Sequence, residues 1–321
     1  MDIPEGDLDL LAVGETLVDL ISEEEVESLR DAYTFRKYQG GSPANIAVNV
    51  AKLGGSSAVI SKTGIGNFGQ FLKAELQRAG VITDYMVMDH LVHTTVIFIS
   101  RTEGTPDFEA FRAGDYKLQP AEVSQEAIQR AKVVHASTFA LSRKPCREAV
   151  EKAFQLAKAS NKIVSLDPNY SRQLWPNYRE ARHVLEQMLG YATITKPSLD
   201  DAGRILGPGK EPEAYVDWFH EMGPPIVVLT MGGDGILLSE GGQIRHVPAH
   251  DVEVVDATGA GDSFWAGFVT ALLDGKSLLQ CVLFAREIVE RKLTTVGPLP
   301  DTIDRKTIYD KIGAASVEEG E

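Results

Sequence analysis

The stretch EVVDATGAGDSFWAGFVTALLDG, near the end of the chain, holds the densest set of residues that could do chemistry. A β-like entry leads into Gly259-Ala260-Gly261, followed by a helical pattern with Phe264, Phe268 and Leu272 on one side. A glycine-rich turn opening a helix leaves several backbone N–H groups without intrahelical partners, at the positive end of the macrodipole, and small residues let an anion come close. Gly259, Ala260 and Gly261 are therefore a candidate anion hole for charge on a transferred phosphoryl group. Asp262 falls in the first turn beside it. In a loose phosphoryl-transfer transition state a carboxylate need only orient a hydroxyl and accept its proton as the new bond forms, so no unusual pKa is required. The same position also suits a plain helix cap, worth ~1 kcal/mol.

The elements that must position this turn follow from hydrophobic patterning. Apolar runs (LDLLAVGE, SAVISKTG, AKVVHAS, KIVSLDP, YATITKP and PIVVLTMGG) alternate with amphipathic stretches such as FGQFLKAELQRAG and CREAVEKAFQLAKAS. Runs of Val, Ile and Leu without polar alternation suit parallel strands covered on both faces, so the pattern predicts a doubly wound α/β core with a mainly parallel sheet. Two segments break the rhythm. Residues 15–39 and 91–115 read as strands outside the main sheet, the second as a hairpin of TTVIFIS and FEAFRA joined at Glu103-Gly104-Thr105-Pro106. Together they predict a small β-sheet lid, leaving residues 1–14, 40–90 and 116–321 to the core, with the lid excluding water from the site.

Bulk properties narrow the class. At 321 residues, with 43% hydrophobic and 24% charged residues, the chain can bury a sizeable core. Its net charge of −14 argues against a broad nucleic-acid surface, which needs Lys and Arg to neutralise phosphates. Two cysteines, Cys146 and Cys281, are too few for a disulfide framework and suit a reducing cytoplasm. The acidic start MDIPEGDLDLLAVGE lacks the basic and apolar regions of a secretory signal, and no stretch has about 18 uninterrupted apolar residues, so neither export nor membrane insertion is expected.

DATGAGDSFWAGF and GGSPANIAVNVAKLGG, residues 40–55, resemble the two signatures of the ribokinase-like (PfkB) carbohydrate kinases, in the right order, and the similarity runs over most of the chain. The resemblance implies an ATP-dependent sugar kinase with a ribokinase-like core and a β lid, Asp262 as its base and Gly259–Gly261 as its anion hole. It also implies that Asp19 in GETLVD, Gly40, Gly41 and Asn45 hold sugar hydroxyls; an aspartate can accept from two vicinal hydroxyls, and an amide can both donate and accept. Thr230, Gly232 and Gly235 in TMGGDG, with Lys196, fall where relatives contact the nucleotide, although TMGGDG alone fits a hairpin turn. KPSLDD carries Ser198 and Asp201 where many relatives have Asn-x-x-Glu, associated with the Mg²⁺ hydration shell. Ser198 fits a helix N-cap equally well. Asp256 and Thr258 correspond to a monovalent-cation loop in some relatives, where K⁺ would sit, with Ala257 departing from that pattern.

DPNYSRQLW, residues 167–175, and FRAG resemble fructokinases and 2-keto-3-deoxygluconate kinases, which brings Arg112 and Arg172 into the sugar site. D-Fructose, phosphorylated on its 6-hydroxyl, is the expected acceptor. The keto-acid sugar is the alternative, because a planar guanidinium suits a carboxylate. A rival class rests on Gly64-Ile65-Gly66-Asn67-Phe68-Gly69, a literal dinucleotide-binding G-x-G-x-x-G with Asp84 and Asp89 downstream, but no hydride-transfer residues accompany it. A non-catalytic sugar-binding module on the same fold is a third reading, opposed by Asp262 with Gly259 and Gly261. The expected partners are the sugar and ATP, and a second copy of the chain through the exposed lid sheet.

Overall fold

In the computed structural model, residues 1–102, 107–175, 177–295, 299–300 and 303–318 are described. The strands are β1 (Leu8–Val13), β2 (Leu17–Glu25), β3 (Phe35–Gly40), β4 (Ser57–Gly64), β5 (Met86–Asp89), β6 (Val96–Arg101), β7 (Phe108–Phe111), β8 (Ala131–Ser137), β9 (Ile163–Asp167), β10 (Ile194–Thr195), β11 (Ile226–Thr230), β12 (Ile236–Glu240) and β13 (Gln243–Val247). The helices are α1 (Ser42–Lys52), α2 (Asn67–Arg78), α3 (Gln125–Arg130), α4 (Thr138–Leu141), α5 (Cys146–Ala159), α6 (Tyr178–Leu189), α7 (Leu199–Leu206), α8 (Pro212–Glu221), α9 (Ala260–Leu273), α10 (Leu278–Leu293) and α11 (Arg305–Glu318).

Nine strands form one sheet in the order β13-β12-β11-β10-β9-β8-β1-β4-β5. It is parallel from β11 to β5, and the β11–β12 and β12–β13 pairs are antiparallel. Alternate residues of β1 explain the lack of polar alternation. Leu11 and Val13 enter one core cluster with α5, α6 and α8, while Leu10 and Ala12 enter another with α1, α9 and α10. Side chains of a strand alternate between faces, so both faces of this sheet are covered. The mixed α/β architecture, a large mostly parallel sheet plus a separate small one, is the one expected from the sequence.

The small sheet has the order β3-β2-β6-β7 and draws its strands from the two stretches that broke the βα rhythm. β6 and β7 pair antiparallel from Val96↔Phe111 to Ile99↔Phe108, while the turn expected at residues 103–106 lies outside the described residues. β3 runs one residue past the expected boundary, to Gly40, which places the end of this sheet directly against the start of α1. Leu17, Ile97 and Phe139 form a third, smaller core cluster where the small sheet meets the large one.

Helix α9 is buried on all sides from Ser263 to Leu272, as expected of a helix apolar all round. Trp265 stacks on Phe268 at 4.8 Å and donates its indole N–H to Ser165 Oγ at 2.8 Å, fixing the rotation of the helix against β9. Gly267 lets α10 approach: a Cβ there would lie 3.0 Å from Ala285 Cα and 3.1 Å from Ile288 Cγ1. Gly267→Leu should therefore push the two helices apart and cost about 1–3 kcal/mol or more, read as a lowered denaturant midpoint.

Candidate active site

Two helix N-termini converge at the junction of the sheets. The α9 terminus opens at Gly259, whose left-handed backbone (φ 73°) favours a residue without Cβ. The α1 terminus opens at Gly41 (φ 101°), where a Cβ would also stand 2.5 Å from the Glu15 carbonyl oxygen. Between them lies the carboxyl group of Asp262. Ser42 Oγ donates to its Oδ1 at 2.8 Å and Asn45 Nδ2 donates to its Oδ2 at 2.9 Å. Asn45 is itself aimed by Gln39, whose Nε2 donates to Asn45 Oδ1 at 3.1 Å. Burial pushes the Asp262 pKa up to about 6, and the Asp167 charge adds to this, while the bonds from Asn45 and Ser42 and the charge of Lys196 pull it down. The group is ionised at neutral pH yet more basic than an ordinary aspartate, which suits a proton acceptor.

Asp19, on β2, sits beside this group. Burial raises its pKa to about 7, with the Asp262 charge as the further cause. Gly40 makes room for it, since a Cβ at that position would lie 1.9 Å from Asp19 Oδ2. The paired glycines thus serve first to let a carboxyl group and a carbonyl lie close to the backbone. Asp19, Gly40, Gly41, Asn45 and Asp262 are brought together from β2, the end of β3, α1 and α9.

On the other side, Lys196 follows β10 and is 4% exposed. A Cβ at Gly261 would be 3.5 Å from its Nζ, so the ammonium lies against the first turn of α9. It pairs with Asp167 Oδ2 at 3.2 Å. Burial alone would pull the lysine's pKa down, but Asp167, Asp201 and Asp262 outweigh it and hold the ammonium protonated. Sequence reasoning passed over Asp167; the available signal was a carboxylate closing the apolar run KIVSLD at a strand's carboxyl end, where α/β sheets bind ligands. Its Oδ1 is buried and has no hydrogen-bond partner among the described residues. Ser198 caps α7, accepting from Asp201 N at 3.0 Å and donating to Asp201 Oδ2 at 2.6 Å. Burial raises the Asp201 pKa to about 6. The unpartnered oxygen of Asp167, with Asp201 nearby, fits a hydrated hard cation such as Mg²⁺.

A family model described as pfkB family carbohydrate kinase matches residues 7–299. The chain belongs to the pfkB family of carbohydrate kinases. It is 35% identical over 94% of its length to an ATP-dependent 6-phosphofructokinase of Thermoanaerobacterium thermosaccharolyticum, again covering 94% of that protein. The fold is similar to that of a Halothermothrix orenii fructokinase (TM-score 0.79, 39% identity, 91% of this chain and 100% of that one). It is also similar to that of a Pyrococcus horikoshii sugar kinase solved in complex with ATP (TM-score 0.83, 30% identity, 93% of this chain and 96% of that one). The rival oxidoreductase reading loses its ground in a pfkB kinase: a Cβ at Gly69 would collide with Gly64 O at 1.7 Å, so those glycines serve a tight strand-to-helix turn, and Asp89 pairs with Lys62 at 2.9 Å.

Other expected residues of the kinase lie as follows. Thr230 ends β11, its N–H donating to Pro197 O at 3.0 Å, so TMGGDG is joined to the Lys196 loop. Gly232 faces open space, whereas Gly235 is needed by the turn itself, since a Cβ would stand 2.4 Å from Val247 O. Arg172 is exposed on the turn after β9. Arg112 does not present an open fork: it is paired with Asp115, bonded to Ser142 Oγ and the Phe139 carbonyl, and its side chain is 3% exposed. The expected cation loop also differs. Thr258 is exposed and donates its N–H to Asp256 Oδ1 at 2.9 Å, while the oxygens of Asp256 hold the ammonium of Lys292.

Glu15, unremarked in the sequence, is 2% exposed and accepts from Ser137 Oγ at 2.9 and 3.2 Å. Burial pushes its pKa up to about 8. Because this lies above the unfolded value of about 4.3, the native state keeps a proton that the unfolded chain releases between those pH values, and stability falls as pH rises across that window. Denaturant unfolding at fixed pH between 5 and 8 should show this decline, with a slope in Glu15→Gln shallower by up to ~1.4 kcal/mol per pH unit.

Proposed function

We propose that this chain phosphorylates D-fructose on its 6-hydroxyl, with ATP as the donor and Mg²⁺ as the accompanying ion. The observation that carries the reading is the Asp262 carboxylate, held by Ser42 and Asn45 at the mouth of the α9 anion turn. In this reading Asp19 and Asn45 orient the sugar, and Asp262 accepts the proton of the attacking hydroxyl as the oxygen–phosphorus bond forms and the bond to the departing ADP breaks. The amides of Gly259, Ala260 and Gly261, with the Lys196 ammonium, neutralise charge on the transferred group. Thr230 and Gly232 lie along the nucleotide. Mg²⁺, through Asp167 and Asp201, would supply further charge neutralisation at the phosphates.

Fructose is preferred over 2-keto-3-deoxygluconate because the Arg112 charge is already matched by Asp115, which removes one of the two guanidiniums expected to hold a carboxylate. The Halothermothrix relative is named a fructokinase. The 6-phosphofructokinase name of the Thermoanaerobacterium relative makes fructose 6-phosphate the competing acceptor. The small sheet acts as a lid over this site, and its edge strands β3 and β7 are where a second copy would pair in a homodimer. Cytoplasmic residence belongs to the same proposal, supported by two free, buried thiols.

A coupled ADP assay over fructose, fructose 6-phosphate, 2-keto-3-deoxygluconate, ribose and adenosine tests the acceptor. Fructose should give the highest kcat/KM, and preference for another acceptor would defeat the fructose assignment while leaving the kinase intact. Asp262→Asn should lower kcat by about 10²–10⁴-fold with sugar affinity largely retained, measured by turnover and by calorimetric binding. Gly40→Ala should displace the Asp19 carboxylate and raise the sugar KM several-fold with little change in thermal midpoint, which separates a site effect from a folding defect.

A further inference from the structure

The loop that feeds the anion turn is tied to the far end of α10 by a buried cation of the chain's own. Lys292, in the last turn of α10, has a side chain only 4% exposed. Its Nζ donates to both the carbonyl oxygen and Oδ2 of Asp256, each at 3.0 Å. The other carboxylate oxygen, Oδ1, accepts from Thr258 N at 2.9 Å, one residue before the left-handed Gly259. Val255 N and Asp256 N both donate to Leu293 O, at 2.7 and 3.2 Å, so backbone bonds reinforce the same junction. The sequence leads from the ammonium, through Asp256, to the amide of Thr258 and thence to the turn whose N–H groups face the transferred group.

A buried ammonium needs oxygen partners, and a carbonyl with a carboxylate at 3.0 Å is the kind of donor set that a monovalent cation takes. The negative end of α10 adds to the attraction for positive charge at this spot. With the ammonium between these oxygens, the expected K⁺ does not fit beside Asp256. We infer that Lys292 is a positioning residue that serves as the resident monovalent cation of the anion-turn loop, so that catalysis by this chain needs no added K⁺. The inference rests on the kinase reading above, and its thermal arm below stands apart from that reading.

The test compares the full chain in potassium chloride with choline chloride at equal ionic strength, which keeps screening the same. Wild-type kcat/KM should agree within about twofold between the two salts, because the position is filled. Lys292→Met should lose about tenfold or more in choline chloride, in keeping with the cost of small misplacements at a reacting centre, and K⁺ or NH₄⁺ should restore most of that loss. Independently of activity, the thermal midpoint of Lys292→Met should rise in K⁺ relative to choline while the wild-type midpoint stays put. Several-fold activation of the wild type by K⁺ would overturn the inference even if the variant fails to fold. So would a folded Lys292→Met whose loss no monovalent cation answers. If the wild type turns over no sugar in either salt, the kinase reading fails, and the two thermal midpoints still decide whether Lys292 fills the cation position.

Discussion

The structure depends on keeping one carboxylate ionised and uncovered at the positive mouth of a buried helix. Asp262 cannot do this alone, since burial favours its neutral form. Its two donors come from α1, more than two hundred residues earlier in the chain, and they reach it only because α1 packs beside α9. Much of the surrounding architecture serves that meeting. β3 must end at Gly40 to deliver the start of α1, Trp265 and Phe268 must fix the rotation of α9, and Gly267 must admit α10 behind it.

The electrostatics of the site are a balance between crowding and compensation. Asp19, Asp262, Asp167 and Asp201 all have pKa values raised by burial. The ammonium of Lys196 lies among the last three of these carboxyls and against the first turn of α9. Such an arrangement is costly unless each carboxyl is matched by a cation or a hydrogen-bond donor, or keeps its proton. Arg112 and Asp115, by contrast, satisfy each other at the sheet junction, with Thr95 bonded to the same carboxylate. That pair contributes to how the small sheet sits on the large one.

What could be read from the sequence was local. The apolar runs marked the strands, the two interruptions marked the separate sheet, and the glycine turn with Asp262 marked the helix mouth, because each is a pattern within a few neighbouring residues. What escaped reading depends on contacts the topology creates. Gln39 matters because it aims Asn45, Asp167 because β9 ends beside β10, and Lys292 because α10 ends against the loop before α9. The partner of Arg112 is of the same kind: Asp115, three residues on, pairs with it through the turn after β7, a contact visible only in the fold. Ser198 could be read as either a cap or an ion contact, and the bonds it makes are those of a cap.

The pH dependence of kcat/KM in the wild type and in Ser42→Ala bears most directly on the role of Asp262. Loss of the Ser42 hydroxyl removes a bond that favours the ionised carboxylate, so the pKa should climb from about 6. The acidic limb of the profile should fall between about pH 6 and 7 in the wild type, where Asp262 and the neighbouring Asp19 titrate together, and move to higher pH in the variant. A limb that stays in place, or moves to lower pH, would contradict Asp262 as the group that takes the proton.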